Sequence, residues 1–85
     1  MYKVVYLDQV EEDLKKLDKS TARKILVRLE TYLARDPKGL GKPLRGEFQG
    51  YWRYRWGGYR VIYKISEREV LILILRISHK KDVYD

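Results

Sequence analysis

The 85-residue sequence contains no cysteine, a single histidine, a single phenylalanine and only two prolines. Without cysteine there is no disulfide framework and no thiolate metal site, and one histidine cannot build a zinc site by itself. No metal or other cofactor is expected. Long apolar runs are also missing. The longest, Val70 to Leu75, falls far short of the roughly 20 residues that span a bilayer. The opening MYKVVYLDQVEED lacks the basic-then-apolar layout of a signal peptide. A soluble cytoplasmic chain with no membrane partner is expected. Nor does any Ser-His-Asp set, phosphate-binding loop or carboxylate cluster appear, which removes the commonest hydrolytic and nucleotide-binding chemistries.

Positive charge and tyrosine are plentiful. Nineteen Lys/Arg stand against twelve Asp/Glu, a net charge of +7, and eight tyrosines accompany two tryptophans. The excess is uneven: residues 1–35 hold eight basic and six acidic side chains, residues 36–85 eleven and six. A basic second half suits a phosphate polyanion or an acidic protein partner, and a surface kept basic for solubility is the bland alternative. The length is that of one domain, residues 1–85, large enough for a single core.

Residues 2–7 are β-branched and aromatic and predict a first strand. Asp8, with Glu11 three residues on, predicts a capping box, and Val10, Leu14 and Leu17 follow on one helical face. After a turn in which Asp18 or Ser20 can cap, Ala22, Ile25, Leu26, Leu29, Tyr32 and Leu33 recur at helical spacing until Asp36-Pro37 ends the pattern. Residues 36–50 carry four of the six glycines and both prolines and read as a long irregular connection, functional or mobile. Strands are expected at 51–56 and 59–65, joined through Gly57-Gly58 as a two-residue hairpin. Val70 to Ile77, apolar apart from Arg76, predicts a central strand covered on both faces for most of its length. The order is β-α-α-β-β-β. The expected fold is α+β, a helical hairpin on one face of a curved, largely antiparallel four-stranded sheet.

The stretch GYWRYRWGGYRVIYK, residues 50–64, is where the charge becomes informative. Side chains alternate across a strand, so Tyr51, Arg53 and Arg55 share one face and Trp52, Tyr54 and Trp56 the other. The tryptophan face reads as core. Arg60 lies on the partner strand, close enough across the hairpin to converge with Arg53 and Arg55 on one phosphate. The competing reading pairs Arg53 and Arg55 with Glu47, Glu67 or Glu69, but the strands themselves hold few acids. Arg76 reads first as a side chain snorkelling at the sheet rim, with RNA contact as the second reading. Lys80, Lys81 and Tyr84 are ordinarily a solvated pair and a docked tail. His79 has the chemistry to move protons, though the neighbouring lysines argue against it. Arginines, lysines and a phenol together suit RNA cleavage by the RNA's own 2′-hydroxyl, in which cations neutralise the charge developing on phosphorus.

The run PLRGEFQGYWRYRWGGYRVIYKI, followed by an apolar strand and ISHKKDVYD, resembles the RelE/ParE superfamily of type II toxins over the whole chain. The specific matches are Leu44-Arg45-Gly46, the Arg-x-Gly-x-Tyr-Arg-x-x-Tyr pattern of Arg55 to Tyr63, and His79 to Tyr84. In the RelE branch, the resemblance implies, the toxin enters the ribosomal A site and cuts mRNA to a 2′,3′-cyclic phosphate and a 5′-hydroxyl. A cognate antitoxin, RelB-like or other, holds it in a hetero-oligomer. That branch carries two strand lysines at the positions of Tyr51 and Arg53, an arginine matched by Arg60, a later arginine matched by Lys80, and a tyrosine matched by Tyr84. The implied catalytic set is therefore Arg60, Lys80, Tyr84 and Arg53, with Arg45, Tyr51, Arg55, His79, Lys81 and Arg76 binding RNA. The alternatives are a ParE-like toxin that blocks DNA gyrase without cutting, and an inactive relative that survives as a binding module.

Overall fold

The computed structural model of the chain describes residues 1–79 and 81. Strand β1 (Lys3–Tyr6) leads into helix α1 (Asp8–Lys15) and helix α2 (Lys19–Arg28), which continues through a π-helical turn at Leu29–Leu33. A short helix α3 (Pro37–Leu40), strand β2 (Lys42–Pro43) and a 3₁₀ turn (Gly46–Phe48) precede the meander of β3 (Trp52–Trp56), β4 (Tyr59–Ser66) and β5 (Leu71–His79). The five strands form one sheet in the order β1-β5-β4-β3-β2, with β1 parallel to β5 and every other pair antiparallel. The α+β class and the strand-helix-helix-meander order are as expected, but the sheet gains a fifth strand.

That strand comes from the segment expected to be irregular. Asp36 caps α3, accepting the Gly39 N–H at 3.0 Å, and Pro37 opens the helix as its first residue rather than merely closing the previous one. Beyond it Lys42 pairs with Arg53 and Pro43 with Trp52, and the Leu44 N–H reaches the Tyr51 carbonyl at 2.9 Å. The buried Tyr63 hydroxyl donates to the Pro37 carbonyl at 2.6 Å, and a methyl group on Gly41 would lie 1.8 Å from that hydroxyl oxygen. Glycine content here marks close approach, not disorder.

Asp18 caps α2 through the Thr21 N–H at 3.1 Å, whereas the expected capping box at Asp8 does not form. Leu7 occupies the N-cap and Asp8 is the first helical residue, because the chain leaves β1 with the Leu7 N–H held by the Ile74 carbonyl at 3.0 Å. Asp8 still favours the helix start through the dipole. The core lies between the helices and one sheet face: Val10, Ile25, Leu29 and Leu33 meet Tyr54, Val61, Tyr63, Ile72, Ile74 and Ile77. Among the described residues the other face carries no helix. Leu71, Leu73 and Leu75 on β5 alternate with buried residues and remain half-exposed on it, so β5 is central but not covered on both faces.

Candidate functional site

The uncovered face of the meander is built by strand alternation. The hairpin closes as expected, with Trp56 opposite Tyr59 and Gly57 at φ +59°, a turn conformation glycine adopts without penalty. Arg55 then lies directly opposite Arg60, Arg53 opposite Ile62, and Lys42 on β2 opposite Arg53. Paired residues share a face, so Lys42, Arg53, Arg55, Arg60 and, four residues further along β4, Lys64 all rise from the same side. Tyr51 completes the row, with the Lys64 ammonium 4.7 Å from its ring centroid and the Phe48 ring 6.5 Å away.

Neither β3 nor β4 contains an acid. Two of the three carboxylates that might have neutralised the arginines are engaged elsewhere, and the exposed Glu47 pairs with none of them. Glu67 binds Lys38 and accepts the Tyr2 hydroxyl at 2.7 Å, and Glu69 accepts from Ser66 at 3.1 Å. Among the described residues no ion pair involves Arg53, Arg55 or Arg60. The Arg53 guanidinium is held below its ordinary value, first by burial and then by the charges of Arg55 and Arg60, and its Nε is buried without a hydrogen-bond partner. Burying a donor and crowding like charges both disfavour the fold. An incoming anion relieves the crowding of charge.

Beside the arginines lies a groove of about 520 Å³, bounded by the end of α1 and the 44–51 segment, with Leu44, Phe48, Tyr51 and Ile62 among its apolar walls and Arg60 and Arg76 at its polar ones. The structure thus brings Arg53, Arg55, Arg60 and Tyr51 together. Arg45 is exposed at the entrance to the 3₁₀ turn. Arg76 is neither a free rim cation nor simply solvated, for its Nε donates to the buried carboxylate of Asp13 at 3.0 Å.

His79 goes elsewhere. Tyr59 pairs with His79 and Arg60 with Ser78, which puts the imidazole on the helix-side face, edge-on to the Tyr59 ring at 5.0 Å. Its Nδ1 accepts the Lys81 N–H at 3.1 Å. By period-2 parity the imidazole is set on the face opposite Arg60, although His79 still lines one end of the groove that holds Arg60 and Arg76. Lys81 is exposed; Lys80 and Tyr84 lie outside the described residues. Trp52, Tyr54 and Trp56 pack on the core side as expected, Trp52 stacked 6.4 Å from Tyr63 and Trp56 beneath the Arg28 guanidinium at 5.7 Å.

Sequence reasoning passed over three participants. Lys64 is readable at i+4 from Arg60 on the same strand face. Asp13, three residues after Val10 and four before Leu17, is an acid on an apolar helical stripe, which is itself the signal of a buried partner. Lys42 carries no such mark, since its strand exists only by pairing. Among the described residues no group of metal-capable side chains occurs and no helix is long and apolar enough to cross a membrane.

The family model for the ParE toxin of type II toxin–antitoxin systems, parDE, matches residues 4–84. The chain belongs to the RelE/ParE superfamily of type II toxins. The toxin is 34% identical to Toxin RelG of Mycobacterium tuberculosis over 98% of its own length and 95% of that protein's. It is 30% identical to Toxin RelE of the same organism, over 98% and 86% of the two chains. Its fold superposes on a chain of the Mycobacterium tuberculosis RelBE2 toxin–antitoxin complex with a TM-score of 0.88 at 33% identity, covering 92% of the toxin and 96% of that chain. The isolated Escherichia coli RelE toxin shares the fold at a TM-score of 0.74 and 17% identity, over 93% and 84% of the two chains.

Proposed function

We propose that the toxin is a ribosome-dependent mRNA endonuclease, and that the arginine face of β3 and β4 is its RNA-binding and catalytic surface. The observation that carries this reading is the crowding of Arg53, Arg55 and Arg60 with no carboxylate beside them among the described residues. Three guanidiniums kept together against their own repulsion suit a phosphate whose charge grows in the transition state. The RNA 2′-oxygen attacks phosphorus, the bond to the 5′-oxygen breaks, and that oxygen takes up a proton as the 2′,3′-cyclic phosphate forms. Arg53, Arg55 and Arg60 hold the phosphate. An arginine is a poor proton acceptor even when its pKa is lowered, so none of the three serves as the base. Tyr51 is the phenol on this face; Lys80 is assigned to the leaving 5′-oxygen and Tyr84 to stacking or proton transfer. With so few proton carriers of its own, the toxin relies on the ribosome to align the 2′-hydroxyl, and it cuts ribosome-bound mRNA in the cytoplasm while barely cutting free RNA.

A cognate antitoxin, as in the RelBE2 complex, is the partner that silences it. The uncovered face offers it an apolar row: Val5 lies opposite Leu73 and joins Leu71 and Leu75, flanked by Lys3, Lys64 and Arg60. Such a surface fits an amphipathic segment with acidic flanks.

Gyrase inhibition without cleavage is the second reading, favoured by the ParE description of the matching family and by Tyr51 and Arg53 at the strand-lysine positions. Two assays separate them. Purified toxin added to translating ribosomes is expected to leave cuts in phase with codons on a primer-extension gel, with DNA supercoiling by gyrase unaffected. Uncut messages and blocked supercoiling would transfer the assignment to the second reading.

A further inference from the structure

Arg76 enters the groove through an irregularity in the sheet. Ile62 opposes Arg76 while the next residue, Tyr63, opposes Ile74, so Leu75 is an extra residue on β5. A bulge of this kind re-aims side chains, and Leu75 and Arg76 both line the groove. Here β1 has already ended, its last partner being Ile74, so no strand is left to take the Ile77 N–H. Asp13, only 4% exposed, takes it at 2.9 Å. The same carboxylate fixes Arg76, accepting from Nε at 3.0 Å and from Nη2 at 3.3 Å, while Gln9 holds Asp13 at 3.0 Å from behind. No described residue accepts a hydrogen bond from Nη1, and the Arg76 side chain remains 52% exposed.

A carboxylate facing a cationic anion site weakens it electrostatically, so charge alone gives no reason for Asp13 to stand there. Geometry does. A guanidinium anchored at two nitrogens has lost most of its rotamer freedom before a ligand arrives. Arg76 and Arg60 are diagonal neighbours across the β4–β5 pair, their strand positions roughly 7–8 Å apart, and the Asp13 anchor keeps the Arg76 guanidinium at the α1 side of the groove, away from the phosphate that Arg53, Arg55 and Arg60 share.

We infer that Asp13 is a positioning residue that presents Arg76 to a second phosphate of the RNA strand, next along from the one held by Arg60. This rests on reading the arginine face as an RNA site, and it is tested without cleavage. A fluorescein-labelled 12-nucleotide RNA is titrated with full-length toxin, Asp13→Asn, Arg76→Gln and the double variant at several salt concentrations, each protein's fold being checked by its thermal transition. Arg76→Gln is expected to lower the salt slope by about 0.7, the loss of one single-strand phosphate contact. Asp13→Asn raises the net positive charge, yet is expected to bind about 3- to 10-fold more weakly, and the double variant no more weakly than Arg76→Gln alone. Binding by Asp13→Asn equal to or tighter than the parent's would overturn the inference. If that variant does not fold, Arg76→Lys, which keeps the charge and loses the two-nitrogen anchor, decides: a loss of about 3- to 10-fold supports positioning, and parental affinity overturns it. Failure of the nuclease reading shows separately, as uncut ribosomal mRNA with these binding differences intact.

Discussion

Arg60 is the residue on which site and stability pull in opposite directions. It faces Arg55 directly and adds to the charge that depresses Arg53, so Arg60→Ala is expected to fold at least as stably as the parent while cleaving ribosome-bound mRNA about 10²-fold more slowly. Urea unfolding together with a primer-extension rate checks both halves; an unfolded or fully active variant would make Arg60 structural. Val70 is the other residue out of its element, a β-branched side chain at φ +52° and 48% exposed. Left-handed backbone costs such a residue about 1–2 kcal/mol, and Val70→Gly is expected to raise stability by about 1 kcal/mol, read from the urea midpoint. Asp13 shows the sign of its interactions in pH. Burial raises its pKa, but hydrogen bonds from Arg76, the Ile77 N–H and Gln9 outweigh burial and bring it below the ordinary 3.8. A carboxyl lowered on folding stabilises the fold above its unfolded value and loses that contribution as pH falls through the folded one. Asp13→Asn should therefore flatten the loss of stability below about pH 4 in acid titrations.

At the scale of elements, the segment 36–50 is the part that composition misdescribed. Its glycines and prolines are correct signals of turns, but the pairing of Lys42 with Arg53 is tertiary and leaves no local periodicity to read. Gly41 is the contact that makes it work, and Gly41→Ala is expected to cost about 1–3 kcal/mol by driving its methyl into Tyr63; an unchanged thermal midpoint would show that β2 docks independently of Tyr63. The hairpin at Gly57-Gly58 was legible because it is a local rule, and so was the α2 cap up to the choice between Asp18 and Ser20, which falls to Asp18. The β5 run was misjudged on one point. Continuous apolarity argued for cover on both faces, whereas Leu71, Leu73 and Leu75 face the uncovered side and await a partner. Parity orders the candidate site in the same way. It set Arg53 with Arg55 from sequence alone, and it would have set His79 against Arg60 had the β4–β5 register been known.

Over the described residues, six basic side chains of the second half, Lys42, Arg53, Arg55, Arg60, Lys64 and Arg76, lie on one sheet face, while the helices and core occupy the other. That segregation suits a polyanion that would leave the core undisturbed, and on the proposed reading the binding of free toxin to RNA is expected to be steeply salt-dependent. The RelE/ParE pattern was legible from Leu44 to Tyr63 because short motifs sit on the meander. The Asp13–Arg76 link was not, since it joins residues 63 apart in the chain. The claim on which the account turns is that the arginine face cuts mRNA on the ribosome. Its most direct test is primer extension on a defined message in purified translating ribosomes, with wild-type toxin and Arg60→Ala side by side. The account predicts codon-phased cuts bearing 2′,3′-cyclic phosphate with the wild type, about 10²-fold fewer with Arg60→Ala, and almost none on the same message without ribosomes. Equal cutting by the two proteins, or no cutting by either, would contradict it.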